Sequence, residues 1–131
     1  MNHKTYKIKG NKIHSISDFY QEINRLFMKN ENWNLGESLD ALDDLLYGGY
    51  GDLFGLDKIT ILWENSEESK KSLGYETTKI YYESKISQPE KYNIKKIKID
   101  LKELQENKGK TYFEIIIEIF KSHKNIELIL Q

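Results

Sequence analysis

The chain has no cysteine, a single proline (Pro89) and no apolar run close to the length that crosses a bilayer. Without cysteine there is no disulfide, thiol nucleophile or thiolate zinc site, so thiol redox enzymes and the usual zinc fingers are excluded. A membrane helix needs about 20 consecutive apolar residues. The first ten residues, MNHKTYKIKG, also lack the apolar segment of a signal peptide. We therefore predict a cytoplasmic protein.

Histidine is scarce as well, and none of the three histidines has an evident companion in the sequence. His3 lies near the N-terminus, His14 precedes the first predicted helix, and His123 lies near the end of the last one. A nuclease or hydrolase needs a base, an acid and a charge stabiliser that converge on one point. We therefore predict no catalytic residue, no metal ligand, no cofactor and no enzymatic activity.

The 131 residues, 38% of them hydrophobic and 31% charged, are typical of one globular domain. Short apolar runs alternate with helical stripes along the chain. We predict a strand at 6–9, a helix capped by Ser15 or Ser17, and a central strand at 59–63 covered on both faces. A short helix within 64–73, a helix capped by Thr111 and a closing strand, IELIL, follow. This order predicts an α/β fold in which helices pack on a parallel sheet of three or four strands.

The segment 75–110 gives a mixed pattern. Residues 75–86 favour a helix, whereas Ile97, Ile99 and Leu101 alternate with polar residues like a strand. Residues 91–102, KYNIKKIKIDLK, carry five lysines, and we predict an edge strand that these lysines protect. Nucleic-acid binding through the same lysines is an alternative.

The stretch 34–47, NLGESLDALDDLLY, predicts a short helix whose two faces differ in character. One face is apolar and contains Leu39, Leu42 and Leu46. The other is acidic and contains Glu37, Asp40 and Asp44, together with Tyr47 and with Asp43 beside them. Like charges three or four positions apart repel by roughly 0.2–0.5 kcal/mol per pair. The helix gives up stability to keep this face, which indicates a function for it.

The charge of the whole chain is unevenly distributed around this helix. Residues 31–68 contain ten acidic residues and one basic residue, a net charge of −9, whereas the remainder contains eleven acidic and nineteen basic residues, a net charge of +8. Such a field speeds the encounter with a cationic partner. We therefore predict a basic protein partner. A carboxylate enzyme, or a protein that binds a divalent cation through these acids, is the competing class.

One aromatic residue, Trp33, lies in the loop just before the acidic helix. It is either a contact residue or a plug that fixes the loop to the core. We favour the plug, because the loop must be held by some packed side chain.

Three motifs resemble the barstar family of intracellular ribonuclease inhibitors. They are IHSISDFYQEI at 13–23, GESLDALDDLL at 36–46 and ITILW at 59–63. The resemblance covers most of 6–73 together with 111–131. It implies a single barstar-like domain, residues 1–131, of two or three layers, with a family-variable insertion at about 75–110.

The resemblance also implies a partner and a site. The partner is a basic, barnase-like ribonuclease, and the acidic helix and its preceding loop occlude the active site, as in an immunity or antitoxin-type protein. Asp44 falls on the family's key aspartate, where its carboxylate takes the place of an RNA phosphate, and Asp40 matches a second acidic contact. No direct contact with nucleic acid or membrane is expected. The secondary contacts are Asp43, Glu37, Trp33, Asn34, Leu35, Gly36, Tyr47 and Glu118.

The chain departs from the family pattern at several of these positions. Asp43 stands where the family often has an aromatic residue, and Asn34 and Leu35 replace an aromatic pair. Trp33 and Tyr47 are candidates to compensate. Glu118 is assigned by counting back from the last strand.

Glu114 is the rival of Glu118 as the additional acidic contact on the last predicted helix. Both glutamates lie one helical turn apart in the sequence TYFEIIIEIF. The sequence leaves the choice between them open.

Overall fold

A computed structural model describes residues 2–131. Three strands and six α-helices follow one another along the chain, with short 3-10 turns at Gly10–Lys12 and Gly51–Leu53. The strands are β1 (His3–Lys9), β2 (Lys58–Glu64) and β3 (Ile126–Leu130). The helices are α1 (Ile16–Phe27), α2 (Leu39–Leu46), α3 (Ser66–Ser72), α4 (Tyr75–Ile86), α5 (Ile94–Gln105) and α6 (Tyr112–Lys121). The α/β fold is thus confirmed.

The sheet is parallel, with the strand order β1-β2-β3. Ile61 of β2 lies opposite Tyr6 on one side and Leu128 on the other. The predicted central position of β2 is confirmed, and the sheet has three strands within residues 2–131. None of the described helices approaches the length and apolar character that a membrane span requires.

The helices cover one face of the sheet. On the other face of β2, Thr60 is 8% exposed and Leu62 is half-buried, so the prediction that both faces are covered is confirmed for the first face and only in part for the second. Ile59, Ile61 and Trp63 point to the covered face and are at most 1% exposed. On the opposite face Lys7 and Glu127 are exposed in the neighbouring strands. The strand order explains this, because two right-handed crossovers that advance in the same direction place their helices on the same side. The result is a two-layer arrangement.

Trp63 lies at the centre of the core, and rings from two helices pack around it. Phe19 of α1 stacks on it with ring centroids 5.8 Å apart, and Phe113 of α6 meets it edge-on at 5.3 Å. The indole Nε1 donates to Ser69 Oγ over 3.0 Å, and this hydroxyl donates in turn to the carbonyl oxygen of Gly10. The buried polar atoms of Trp63 and Ser69 are therefore satisfied, as a close-packed core requires.

The lysine-rich segment 91–102 does not form the predicted edge strand. It contains most of α5. Asn93 caps this helix, because its side-chain oxygen accepts a hydrogen bond from the backbone N–H of Lys96. Together α4 and α5 form a helical hairpin, and the predicted helix at 75–86 is confirmed. The buried apolar contact of α5 is made by Leu104, which is 3% exposed, whereas Ile99 is 52% exposed.

The α4–α5 hairpin is fixed to α6 through Thr78. Its hydroxyl accepts from the backbone N–H of Tyr112 over 2.8 Å and donates to the carbonyl oxygen of Gly74 over 2.7 Å. The hydroxyls of Tyr112 and Tyr20 lie 2.6 Å apart in the core. Because α6 also packs on α2, the hairpin lies in a defined position relative to the acidic helix.

The predicted helix caps are confirmed at both ends of the chain. Ser15, rather than its alternative Ser17, caps α1 by accepting from the backbone N–H of Asp18. Thr111 caps α6 and forms a reciprocal capping box with Glu114.

Candidate functional site

The acidic helix α2 is shorter than the predicted 34–47 stretch and has eight residues. Ser38 caps it by accepting from the backbone N–H of Ala41 over 3.1 Å. Its apolar side is buried, with Leu42, Leu45 and Leu46 at most 1% exposed. These contacts fix the rotation of the helix, so that Asp40 and Asp44 are exposed, one turn apart.

Asp40 and Asp44 form no ion pair within residues 2–131. Asp44 lies close enough to Tyr50 for its charge to act on the phenol: burial, and then the carboxylate of Asp44, raise the pKa of Tyr50 above its ordinary value. Two exposed carboxylates on a rigid helix can accept charge-assisted hydrogen bonds from a basic partner. We call the exposed surface formed by Asp40, Asp44 and the exposed loop residues Trp33, Asn34, Gly36 and Glu37 the acidic face.

Asp43 has a different environment from its neighbour Asp44. Its Oδ1 lies 2.7 Å from Nε2 of His123, which follows α6 and is 7% exposed. The ring of Tyr47 meets this imidazole edge-on, with centroids 4.6 Å apart. The expectation that no histidine has a companion is therefore wrong for His123. No sequence spacing reveals this pair, because eighty positions separate the two residues.

The loop before α2 is fixed by Leu35 and not by Trp33. Leu35 is 5% exposed, and its backbone N–H and carbonyl oxygen both bond to the side-chain amide of Asn24, over 2.7 and 3.3 Å. Trp33 is 46% exposed and packs against the ring of Tyr50 at 5.1 Å. The prediction of Trp33 as a core plug is therefore wrong. Its ring lies at the surface.

The other predicted loop contacts are also at the surface. Asn34, Gly36 and Glu37 are exposed. The carboxylate of Glu37 accepts a hydrogen bond from Ser17 Oγ over 2.9 Å, which holds it beside the start of α1. Tyr47, at the other end of α2, is 73% exposed. The structure thus brings most of the predicted residues to one helix and its preceding loop. Leu35 is buried beneath this surface and holds the loop in place.

The predicted contact on α6 has two rival glutamates with different environments. Glu114 is engaged in the cap, since its Oε1 accepts from the backbone N–H of Thr111 over 2.9 Å. Glu118 is exposed and forms an ion pair with Lys110. Glu118 therefore has the more accessible carboxylate, and its assignment as the additional acidic contact stays a prediction.

The acidic side chains of α2 are spaced as individual carboxylates. Within residues 2–131 no group of three or more histidine and carboxylate side chains is placed to hold a metal ion. The carboxylates of Asp40 and Asp44 instead face solvent as separate hydrogen-bond acceptors. The geometry therefore suits recognition of a cationic surface.

Together, the fold and this site define a small α/β protein that presents carboxylates and aromatic rings from one helix and its preceding loop. The family model described as Barstar (barnase inhibitor) matches residues 3–82, more than half of the chain. The chain belongs to the barstar family. No curated protein matches it in sequence. The family match contains α2 and ends within α4, and the insertion at 75–110 stays a prediction.

Proposed function

We propose that this protein is a non-catalytic inhibitor of a basic, barnase-like ribonuclease, and that it protects the producing cell from within the cytoplasm. The observation that carries the proposal is the pair of exposed carboxylates, Asp40 and Asp44, on the helix that a family model for a barnase inhibitor matches. A ribonuclease active site is built to bind phosphate. A carboxylate offers the same cationic groups a charged acceptor.

Asp44 is the central contact in this proposal. Its carboxylate enters the phosphate site of the enzyme and accepts hydrogen bonds from the basic groups that serve catalysis. The three buried leucines of α2 hold its backbone in place before binding, so little conformational freedom is lost at the central contact. Asp40, one turn earlier, accepts from a second basic group.

Aromatic side chains flank the two carboxylates and supply contact area. Trp33, packed on Tyr50, lies on the side of the preceding loop, and Tyr47 lies at the C-terminal end of α2. Tyrosine and tryptophan at the centre of an interface often carry much of its binding energy. Leu35 contributes indirectly, because it holds the loop that presents Trp33.

The uneven charge of the chain supports rapid association with a basic enzyme. The segment 31–68, with its net charge of −9, contains the acidic face. Attraction between oppositely charged surfaces raises the association rate, and salt screens it over about 8–10 Å. Inhibition should therefore weaken as the ionic strength rises.

The test is inhibition of a purified barnase-like ribonuclease at low and high salt, with Asp44→Ala and Glu68→Ala measured beside the unmodified protein. Glu68 is an exposed acidic residue of α3 within the same negative segment, so its variant changes the net charge equally. We expect salt-sensitive inhibition that Asp44→Ala loses and Glu68→Ala keeps. Absence of inhibition by the unmodified protein contradicts a barnase-like target.

A titration calorimetry experiment separates this function from the competing class. A carboxylate enzyme or metal-binding protein should take up Mg²⁺ or Ca²⁺ tightly, whereas an inhibitor should show no tight site. Tight binding that Asp40→Asn removes would favour the competing class.

A further inference from the structure

A cleft of about 460 Å³ lies between the start of α2 and the α4–α5 hairpin. Glu37 and Asp40 line one wall, and Tyr81, Lys85 and Tyr92 are among the residues of the other. The cleft is continuous with the acidic face, because Asp40 belongs to both. A protein that sits on α2 would therefore reach the hairpin as well.

The hairpin wall already holds a cation between two aromatic rings. The ammonium Nζ of Lys85 lies 4.6 Å from the ring centroid of Tyr81 and 4.7 Å from that of Tyr92. Both distances fall within the range of cation–π attraction. Lys85 has no ion-pair partner within residues 2–131. The charge of Lys85 is therefore stabilised by the rings and by solvent, without a carboxylate in contact.

The lining favours a guanidinium over an ammonium as the occupant. Glu37, Asp40 and Lys85 are the charged residues of the lining, which leaves the cleft net negative. A guanidinium can stack on an aromatic ring and bond a carboxylate in the same plane, whereas an ammonium is a strongly hydrated point charge. Lys85, on a flexible four-carbon chain, can move aside when an arginine enters.

We propose that this cleft is a second subsite of the acidic face, and that it takes an arginine side chain of the basic partner, displacing Lys85 from between Tyr81 and Tyr92. The identity of the partner rests on the proposed function. The affinity of the cleft for an arginine side chain does not, and it can be measured separately. In this arrangement the α4–α5 hairpin contributes specificity, because it selects partners with an arginine at the correct distance from the group that binds Asp44.

The test is a titration of the full chain with Nα-acetyl-arginine-N-methylamide, followed by two-dimensional NMR of the backbone amides. The matching citrulline derivative, which has the same shape without the charge, is the control ligand. We expect saturable shifts at residues 37–40 and 81–92 with the arginine derivative only. Absence of these shifts, or equal shifts with the citrulline derivative, overturns the proposal.

Variants of the hairpin wall test whether an entering arginine displaces Lys85. Tyr92→Ala should weaken binding of the arginine derivative about threefold, since one cation–π contact is lost. Lys85→Met should strengthen it by a similar factor, because the competing ammonium is removed. Weaker binding by Lys85→Met contradicts the displacement. Glu68→Ala, outside the cleft, should change nothing. If Tyr92→Ala lowers the helical circular dichroism, Lys85→Met alone decides the outcome.

Failure of this inference is distinguishable from failure of the proposed function. Ribonuclease inhibition without arginine binding contradicts the subsite and leaves the inhibitor function standing. Arginine binding without inhibition of any barnase-like enzyme leaves the subsite standing and contradicts the proposed target.

Discussion

Nε2 of His123 lies 2.7 Å from Oδ1 of Asp43, so that the end of α6 is joined to the middle of α2 by a partly buried hydrogen bond. The adjacent Asp44 makes no such contact and is exposed. The contact with His123 holds the Asp43 carboxylate against the end of α6, and the ring of Tyr47 packs edge-on against the same imidazole.

We expect Asp43 and Asp44 to have opposite roles. Asp43→Ala should lower the free energy of unfolding by about 1–2 kcal/mol, because His123 loses its partner, and should change inhibition little. Asp44→Ala should leave stability nearly unchanged and weaken inhibition at least about 30-fold, as loss of an interface hot spot does. That range comes from measured interfaces, among which barnase–barstar is a reference case. Urea unfolding and inhibition assays measure the two quantities.

His123→Ala is the matched control for this pair, since it removes the same hydrogen bond from the other side. It should lower stability as Asp43→Ala does. If Asp43→Ala instead abolishes inhibition while stability stays unchanged, Asp43 is a direct contact and the division of roles is wrong.

The sequence predicts most of the α2 packing, because helical spacing alone separates Leu42 and Leu46 from Asp40 and Asp44. It also predicts the cap at Thr111 and limits the cap of α1 to Ser15 or Ser17, because the cap residue and the helix it stabilises are adjacent. These features depend on contacts between near neighbours. The contact between His123 and Asp43 depends on how α6 packs on α2, and no local pattern contains that information.

The lysine-rich segment shows why local patterns mislead. Ile97, Ile99 and Leu101 alternate like a strand, yet Ile97, Leu101 and Leu104 also follow the three-and-four spacing of a helix. Burial selects between the two patterns, since Leu104 is buried and Ile99 is exposed. The cap at Asn93 agrees with the helical pattern. Tertiary packing against α4, absent from the sequence pattern, settles the conformation.

Variants of Trp33 and Leu35 should distinguish the residue that contacts the partner from the residue that holds the loop before α2 in place. Trp33→Ala should leave the free energy of unfolding within about 0.5 kcal/mol, because the side chain is at the surface, and should weaken inhibition at least about fivefold. Leu35→Ala removes a buried side chain and should cost about 2–4 kcal/mol of stability. Thermal unfolding and inhibition assays test both. Unchanged inhibition by Trp33→Ala excludes this ring from the interface.

Glu22 should make stability depend on pH in the acid range. Burial alone would raise its pKa, but hydrogen bonds from Arg25 and from the backbone N–H of Lys9 outweigh burial and hold the pKa below its ordinary value of 4.5. A lowered folded-state pKa stabilises the fold above the unfolded-state pKa, and this contribution is lost as the pH falls through the folded-state value. Glu22→Gln should therefore be less stable than the unmodified protein at pH 7 by about 1–2 kcal/mol.

The difference between Glu22→Gln and the unmodified protein should shrink as the pH falls below 4.5. Urea unfolding across this range measures it. Glu106→Gln, at an exposed glutamate without a side-chain partner within residues 2–131, is the control, because it removes a carboxyl group but no hydrogen bond. A constant difference for Glu22→Gln would contradict the assigned hydrogen bonds.

Gly10 should tolerate a side chain less than any other glycine of the fold. The hydrogen bonds that run from Trp63 to Ser69 end on the carbonyl oxygen of Gly10. A Cβ atom at this position would collide with the carbonyl oxygen of Glu64 and lie 2.7 Å from Ser69 Oγ. Backbone at the end of β2 cannot yield without disturbing the central strand, so Gly10→Ala should cost about 2–3 kcal/mol. Gly49→Ala, where a Cβ meets no atom within 4 Å, should change stability by less than about 0.5 kcal/mol. Equal stability of the two variants in urea unfolding would show that the backbone near Glu64 can move to accept a Cβ atom at Gly10, which contradicts this prediction.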